Sequence, residues 1–169
     1  ENIPSIALVT GASRGIGASI AAELARQGHW VIGTATSESG AKAIGQSLAS
    51  VGHGRGVALD VNDATACDAI IDGIVKEHGG LHVLVNNAGI TRDMLAMRLK
   101  DDDFDAVINT NLRAVFRLCR AVIRPMMKQR MGRIINITSV VGAMGNAGQA
   151  NYAASKAGVA GMTLSLIHI

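Results

Sequence analysis

Ser5-Ile-Ala-Leu-Val-Thr-Gly-Ala-Ser-Arg-Gly-Ile-Gly17 is the stretch that decides the fold of this 169-residue chain. Its first half is a short, continuous apolar run, which is typical of a strand covered on both faces. The glycines of its second half allow a turn. Ile16, Ile20 and Leu24 then recur at helical spacing, and Gly28 ends the segment. The stretch therefore predicts a strand, a glycine turn and a helix.

The glycine turn is also a candidate phosphate site. Glycines let the backbone approach a phosphate closely, and the N-terminus of the following helix adds about half a positive charge. The same glycine spacing occurs in tight turns that bind no ligand. Its position between a strand and a helix is what favours a nucleotide site.

The second apolar run, Trp30 to Thr34, lacks the acidic residue that follows it in NAD-binding proteins. An Asp or Glu at this point binds the ribose 2′-hydroxyl, roughly 20 residues after the glycine turn. Here Thr36 and Ser37 come first, and the first acid is Glu38. Two hydroxyls, together with the positive charge of Arg14 in the turn, suit a 2′-phosphate. The sequence therefore predicts NADP(H) rather than NAD(H).

Three further apolar runs predict strands at residues 57–61, 81–85 and 134–138. Helical segments separate these runs, whereas the glycine-rich segment Gly52–Gly56 is interpreted as a loop. Strands that alternate with helices form a parallel, doubly wound sheet with right-handed crossovers. The predicted fold class is therefore α/β and Rossmann-like.

Polar and small residues follow two of these strands, where the carboxyl ends of parallel strands meet. Asp60 lies at the end of the third strand, and Asn86-Asn-Ala-Gly89 follows the fourth. Two amides and two small residues suit a floor beneath a flat ring. A polar loop without a ligand would have the same composition.

A long helix is predicted from about Asp102 to Lys128. Asp101 and Asp102 are candidate caps, and Pro125 is expected to kink the last turn. Asn111 lies on the apolar stripe of this helix, where a polar side chain costs free energy unless it is hydrogen-bonded. It is either a satisfied core amide or a residue placed for chemistry. The stripe comprises Phe104, Val107, Ile108, Leu112, Val115, Phe116, Cys119, Val122 and Ile123.

The opposite face of this helix is basic, and no acidic residue occurs from Ala106 to Arg133. Such a face is either solvated or subunit-facing, or it docks an acidic partner. Nucleic acid is a weaker candidate, because aromatic residues for base stacking make up 2% of the chain. The basic residues are Arg113, Arg117, Arg120, Arg124 and Lys128, continued by Arg130 and Arg133.

Tyr152 and Lys156 are four residues apart in an alanine-rich segment, so they share one face of a predicted helix. A lysine charge beside a tyrosine hydroxyl favours the phenolate, which suits the pair to acid or base chemistry near neutral pH. Ser139, at the end of a strand, offers a hydroxyl to the same substrate oxygen. The alternative is an ordinary surface pair.

Composition indicates a folded chain with a sizeable core, with 49% hydrophobic and 17% charged residues. No apolar run approaches the ~20 residues that span a bilayer, so no membrane segment is expected. Cys67 and Cys119 lack metal or redox spacing and are interpreted as small helix residues in a reducing compartment. The histidines show no ligand spacing either, and no metal site is expected.

Five motifs in this order resemble the short-chain dehydrogenase/reductase family, from about Ile6 to about Thr163. They are Thr10-Gly-Ala-Ser-Arg-Gly-Ile-Gly17, Asn86-Asn-Ala-Gly89, Asn111, Ser139 and Tyr152-Ala-Ala-Ser-Lys156. Within the family, two stretches look most like enzymes that reduce 3-oxoacyl-acyl-carrier-protein in bacterial-type fatty-acid synthesis. These stretches are Gly89–Asp93 and Gly142–Tyr152. Acetoacetyl-CoA reductases and other short-chain alcohol dehydrogenases are the alternative.

The resemblance implies a catalytic group of Asn111, Ser139, Tyr152 and Lys156. In such a group Tyr152 protonates the keto oxygen and Ser139 orients it. Lys156 assists the tyrosine and holds the nicotinamide ribose, and Asn111 positions a water that links Lys156 to solvent. The residues implied for NADPH are Gly11, Ser13, Arg14, Gly15, Ile16, Gly17, Thr36, Asp60, Val61, Asn87, Ala88, Gly89, Tyr152 and Lys156.

The resemblance also implies partners. Acyl carrier proteins are acidic, so the basic helix face and Arg130 become a candidate dock for a carrier that bears a 3-oxoacyl thioester. A cytoplasmic homotetramer is expected, with neither nucleic acid nor membrane as a partner.

Proteins of this family continue well past the point where this chain ends. Residues 1–163 are therefore interpreted as an incomplete dinucleotide-binding domain, without the last strands and the segment that covers the substrate. Residues 164–169 do not resemble the family's continuation and are interpreted as a non-native tail. A non-catalytic fragment that binds only nucleotide or a partner is the alternative from another functional class.

Overall fold

Five strands form one sheet in the computed structural model, which describes residues 5–168. The strands are β1 (Ile6–Val9), β2 (Trp30–Ala35), β3 (His53–Ala58), β4 (Val83–Asn86) and β5 (Arg133–Asn136). They lie in the order β3-β2-β1-β4-β5. β1 runs parallel to β2 and β4, with Ala7 opposite Val31 and Val83, and β2 runs parallel to β3. The predicted doubly wound α/β fold is confirmed.

Helices follow the strands along the chain. They are α1 (Gly15–Arg26), α2 (Glu38–Ala49), α3 (Ala64–His78), α4 (Asp101–Ile108), α5 (Ala114–Gln129), α6 (Val141–Met144) and α7 (Ala150–Leu166). One π-helical turn, Asn109–Arg113, connects α4 to α5. Within the described residues, no helix is long and apolar enough to cross a membrane.

The chain divides into two compact units, each of which is described by itself. The first comprises the described residues up to 88 and residues 118–135 and contains β1 to β4 with α1 to α3. The second comprises residues 89–117 and 136–168 and contains α4, α6 and α7. That residues 1–163 form one domain stays a prediction, as does the non-native tail. α7 continues without a break through Leu164 to Leu166.

The core of the first unit lies along β1, β2 and β4, where every residue except Trp30 is buried. Leu8, Ile32 and Leu84 have no exposed surface. These strands read as continuous apolar runs because helices cover both faces of a doubly wound sheet. Cys67 and Cys119 are buried in α3 and α5, which agrees with their interpretation as small helix residues.

The predicted helix after the glycine turn is confirmed as α1. Its Ile16 is 64% exposed, so the face that carries Ile16, Ile20 and Leu24 is not the face that α1 buries most deeply. A side chain on Gly17 would overlap the carbonyl oxygen of Gly11, so only small residues let the helix lie this close to the strand ends. The residues that α1 buries are Gly17, Ala21 and Ala25.

β3 begins and ends earlier than predicted, because its glycines were interpreted as a loop. A Cβ on Gly54 would overlap the carbonyl oxygen of Val31, and one on Gly56 would overlap that of Ala41. These glycines therefore allow close backbone packing rather than a turn. Asp60 consequently lies two residues beyond the strand instead of at its end.

The long helix is interrupted where the prediction made it continuous. In the π-helical turn the backbone N–H of Ala114 donates to the carbonyl of Asn109, five residues back. The extra residue rotates later side chains by about 100° relative to an uninterrupted helix. Phe116, placed on the apolar stripe by sequence, is accordingly exposed. Phe104, which precedes the turn, is exposed as well. After the turn the buried residues are Ala114, Val115, Leu118, Cys119, Val122 and Met126.

The ends of this helical segment also correct the prediction. Lys100 occupies the N-cap position of α4. Asp101 and Asp102 lie in its first turn, where negative charge interacts favourably with the helix dipole. Pro125 lies inside α5, and the helix continues beyond it to Gln129.

Candidate active site

The β1–α1 turn is fastened to the end of β4 by two polar side chains. The buried Thr10 hydroxyl accepts hydrogen bonds from the backbone N–H groups of Asn87 at 3.1 Å and Ala88 at 3.0 Å. The Asn87 Nδ2 donates to the carbonyls of Thr10 and Gly11, each at 3.0 Å. Two motifs that are 77 residues apart in sequence are thereby joined into one structure.

Glycine is required at Gly11 by this arrangement. Its φ of +64° lies in the left-handed region, and a Cβ on it would lie 2.9 Å from the Ala88 Cα. Gly15, with a φ of +56°, faces open space instead. Arg14 occupies the N-cap position of α1 without a side-chain hydrogen bond to the helix, so the first backbone N–H groups are not capped by it. The turn therefore presents a cradle suited to a phosphate.

The end of β2 adjoins this cradle. The backbone N–H of Ala12 donates to the carbonyl of Thr34 at 2.8 Å. Thr36 and Ser37 follow and are exposed, and the Ser37 hydroxyl caps α2 by accepting from the Gly40 N–H at 3.1 Å. No carboxylate lies between the end of β2 and Glu38, so the polar groups at this strand end are hydroxyls, as the sequence predicts.

Asp60 and Val61 lie in the turn after β3. The Asp60 side chain is exposed, and its Oδ1 accepts from the Asn62 N–H at 2.9 Å. Val61 is buried, and its carbonyl accepts from the Cys67 Sγ at 3.5 Å. Only Asp60 of this pair presents its side chain to solvent.

In the second unit, α7 brings Lys156 against the ring of Tyr152. The Lys156 Nζ lies 5.8 Å from the ring centre and donates to the carbonyl of Ile137 at 2.7 Å. The lysine residue is buried, and this burial lowers the pKa of its amine from the ordinary value. A buried amine is therefore held, at a cost, beside the ring of the only tyrosine in the sequence.

Ser139 follows β5 and is half-buried. Its Oγ accepts from the Val141 N–H at 3.2 Å, at the start of α6. A Cβ on Gly142 would lie 2.8 Å from the Ala157 N, so the glycine allows α6 to pack closely against α7 next to Lys156. The segment after Ser139 therefore contains a helical turn, and Ser139 lies in the same unit as Tyr152 and Lys156.

Comparisons with known proteins agree with this geometry. Residues 5–168 match the sequence profile described as short chain dehydrogenase. The chain belongs to the short-chain dehydrogenase family. A solved structure described as a short-chain alcohol dehydrogenase of Sinorhizobium meliloti matches with a TM-score of 0.91 and 35% identity, over 96% of this chain and 65% of that one.

Curated relatives of this short-chain dehydrogenase chain carry a more specific description. The 3-oxoacyl-acyl-carrier-protein reductase FabG of Vibrio harveyi is 58% identical over 161 residues, which are 95% of this chain and 65% of the relative. That of Escherichia coli gives the same figures. That of Pseudomonas aeruginosa is 57% identical over 162 residues, covering 66% of its length. The chain thus spans about two thirds of the length of these reductases.

Asn111 of this short-chain dehydrogenase is fully buried, and its amide is hydrogen-bonded throughout. Its Oδ1 accepts from the Ile90 N–H at 2.8 Å, and its Nδ2 donates to the Ile90 carbonyl at 2.9 Å and to the Ser155 Oγ at 3.3 Å. The satisfied-amide interpretation therefore describes its side chain. That side chain reaches Ser155, the residue before Lys156, and the π-helical turn is centred on Asn111.

Two buried residues beside Tyr152, Asn151 and Ser155, were not predicted as site residues. Both are fully buried although polar. The available signal was weak, since they are simply an amide and a hydroxyl within an alanine-rich helix. The π-helical turn had no recognisable signal, because its residues also fit an uninterrupted helix.

Proposed function

We propose that this chain carries the NADPH-dependent reduction of a 3-oxoacyl thioester on acyl carrier protein to the 3-hydroxyacyl thioester. The observation that carries the proposal is the buried Lys156 amine 5.8 Å from the centre of the Tyr152 ring. Burying an amine costs free energy, and an arrangement with that cost beside the ring of a tyrosine suits a general acid. The FabG relatives supply the substrate class.

The residues of the glycine turn and those that follow β2, β3 and β4 fit NADPH. The glycine cradle would hold the pyrophosphate, with Arg14 and Thr36 at the 2′-phosphate and Asp60 at the adenine. The absence of a carboxylate before Glu38 removes the repulsion that a 2′-phosphate would meet there. The other proposed contacts are Gly11, Ser13, Gly15, Ile16, Gly17, Val61, Asn87, Ala88 and Gly89. When bound, the cofactor supplies the hydride that reduces the carbonyl carbon.

The side chains of the second unit would handle the oxygen and the proton. The Tyr152 hydroxyl donates its proton to the keto oxygen, and the Ser139 hydroxyl donates a hydrogen bond to the same oxygen. The Lys156 amine would assist the tyrosine and hold the nicotinamide ribose. Asn111 fixes the helical turn next to Ser155, with a water linking Lys156 to solvent. General acid catalysis of this type contributes about 10²–10⁴-fold.

The acidic carrier would dock on basic residues of the first unit. Arg120, Arg124 and Lys128 are exposed on α5, and Arg130 is exposed just beyond it. A cytoplasmic homotetramer is part of the same proposal.

The test uses the full-length protein that contains this chain. NADPH oxidation is followed with acetoacetyl-acyl-carrier-protein and with acetoacetyl-CoA. We expect Tyr152→Phe to lower kcat at least about 10²-fold while NADPH binding is retained. Turnover at the wild-type rate in Tyr152→Phe would refute the role of the tyrosine. A similar KM for both thioesters would favour an acetoacetyl-CoA reductase.

A second candidate follows from the chain's length, since it spans 65% of the Vibrio harveyi relative. On its own, the 169-residue chain would then bind NADPH without turnover. Titrating NADPH into the isolated chain and assaying it beside the full-length protein separates the two cases. Turnover by the isolated chain excludes the non-catalytic fragment.

A further inference from the structure

The peptide groups of Tyr152 are both held by buried side chains. Its N–H donates to the Asn151 Oδ1 at 2.8 Å, and its carbonyl accepts from the Ser155 Oγ at 2.7 Å. Asn151 and Ser155 have no exposed surface. Neither residue has a role in the proposed proton transfer, so their burial next to Tyr152 needs another explanation.

Asn151 connects the first turn of α7 to two other segments of the second unit. Its Nδ2 donates to the carbonyl of Arg92 at 2.9 Å and to that of Asp103 at 3.4 Å. The N–H groups of the first helical turn have no partner within the helix, and Asn151 satisfies that of Tyr152. One carboxamide thus fixes the tyrosine backbone relative to the loop after β4 and the first turn of α4.

Ser155 makes the corresponding connection at the other peptide group. Its hydroxyl accepts from the Asn111 Nδ2 at 3.3 Å while donating to the Tyr152 carbonyl. Asn111 in turn bonds both peptide groups of Ile90. A continuous series of hydrogen bonds therefore runs from Ile90 through Asn111 and Ser155 to the tyrosine backbone.

We propose that Asn151 and Ser155 are positioning residues that fix the Tyr152 backbone, and through it the phenol. The proposal rests on the proposed function, in which the Tyr152 hydroxyl must meet a substrate oxygen. A displacement of about 1 Å of a reacting group can cost about 10²-fold in rate. Two independent tethers, one on each peptide group, restrict both the translation and the rotation of the first turn of α7.

The first test compares Ser155→Ala with a matched control on the same helix. The Thr163 hydroxyl donates to the Val159 carbonyl at 2.7 Å and accepts from the Asn136 Nδ2 at 2.9 Å, the same pattern about three turns away from Tyr152. We expect Ser155→Ala to lower kcat of the full-length protein about 10-fold with little change in the KM for NADPH. Thr163→Val should stay within about twofold of wild type.

The second test uses the pH dependence of Asn151→Asp. An ionised carboxylate cannot donate to the carbonyls of Arg92 and Asp103, whereas a protonated carboxyl can donate to one of them and still accept from the Tyr152 N–H. We therefore expect kcat of this variant to be about 10- to 100-fold low at neutral pH. Its ratio to wild type should rise as the pH falls, which a purely structural defect would not produce.

A third measurement does not depend on turnover. Tyr152 is the only tyrosine in the 169-residue chain. Fluorotyrosine incorporation therefore gives one fluorine NMR signal for the isolated chain, and in the full-length protein the signal is assigned by its loss in Tyr152→Phe. We expect Ser155→Ala to shift or broaden this signal, while Thr163→Val leaves it unchanged.

The outcomes separate this proposal from the proposed function. If the wild-type protein shows no turnover and the Tyr152 signal responds to Ser155→Ala but not to Thr163→Val, the proposed function is wrong and the positioning role is kept. Equal effects of Ser155→Ala and Thr163→Val on kcat and on the signal would overturn the positioning, as would a pH-independent ratio for Asn151→Asp. If Asn151→Asp does not fold, the comparison of Ser155 with Thr163 decides.

Discussion

Arg130 has a backbone conformation that its side chain disfavours. Its φ of +56° makes it the only non-glycine residue in the left-handed region among the described residues. It follows the last residue of α5, and the N–H groups of Arg130 and Met131 bond back to Met127 and Met126 at 3.1 and 3.2 Å. Glycine is the usual residue at this position of a helix end. An arginine here lowers stability, which indicates that its side chain has a role that offsets this cost.

Two opposing effects determine how much Arg130→Gly changes the free energy of unfolding. Relief of the left-handed strain stabilises the folded state by about 1–2 kcal/mol. The greater freedom of glycine in the unfolded chain removes about 0.4–1 kcal/mol of that gain. We therefore expect a net stabilisation of about 0.5–1 kcal/mol. In a chain of this length that raises Tm by about 1–4 °C.

Arg130→Ala is the matched control, because it removes the same charge and keeps the Cβ in the strained conformation. Thermal denaturation should show Arg130→Gly above both wild type and Arg130→Ala. In the same samples, both variants should raise the KM for the carrier-protein thioester and leave that for the coenzyme A thioester unchanged. A Tm for Arg130→Gly at or below that of Arg130→Ala would refute the strain argument. An unchanged KM for the carrier thioester would refute the docking role.

Four further predictions concern other residues. Because burial lowers the pKa of Lys156, the unfolded state binds more protons between the folded and unfolded values, so stability rises with pH in that window. The Tm difference between wild type and Lys156→Met should therefore shift in favour of wild type as pH increases towards ~10.4, and a constant difference would contradict this. Gly17→Ala should lower the free energy of unfolding, measured by urea denaturation, by roughly 2–5 kcal/mol, because its methyl would overlap the Gly11 carbonyl oxygen. Gly73→Ala, whose methyl meets nothing within 4 Å, should gain about 0.5–1 kcal/mol. Thr36→Asp should weaken NADPH binding at least about 10-fold while NADH binding holds or improves, as measured by fluorescence titration.

The strands and their parallel arrangement could be predicted because apolar runs covered on both faces have a distinctive composition. The boundaries could not, and β3 shows why. A glycine in a sequence is compatible with a turn and with a close backbone contact. At Gly54 and Gly56 the neighbouring strand and helix, which the local sequence does not show, require the close contact. The same ambiguity hid the short helix after Ser139, where Gly142 serves contact with α7.

The candidate site was predictable where function requires a particular side chain at a particular spacing. Tyr152 and Lys156 on one helical face are of this kind, and the structure places them together. Asn151 and Ser155 were not predictable, because their contacts join segments distant in sequence. Ser155 meets Asn111 across 44 residues, and no local pattern encodes that distance.

The two interpretations of Asn111, a satisfied core amide and a residue placed for chemistry, are compatible. A buried amide is expected to be fully hydrogen-bonded, and its bonds to Ile90 and Ser155 meet that expectation. A single apolar residue at this position would leave the Ile90 peptide groups without these partners, at a cost of about 1–3 kcal/mol for each buried group left unpaired. It would also release Ser155 from its fixed orientation towards the Tyr152 carbonyl. The bonds that satisfy the amide are therefore the same bonds that connect it to the tyrosine.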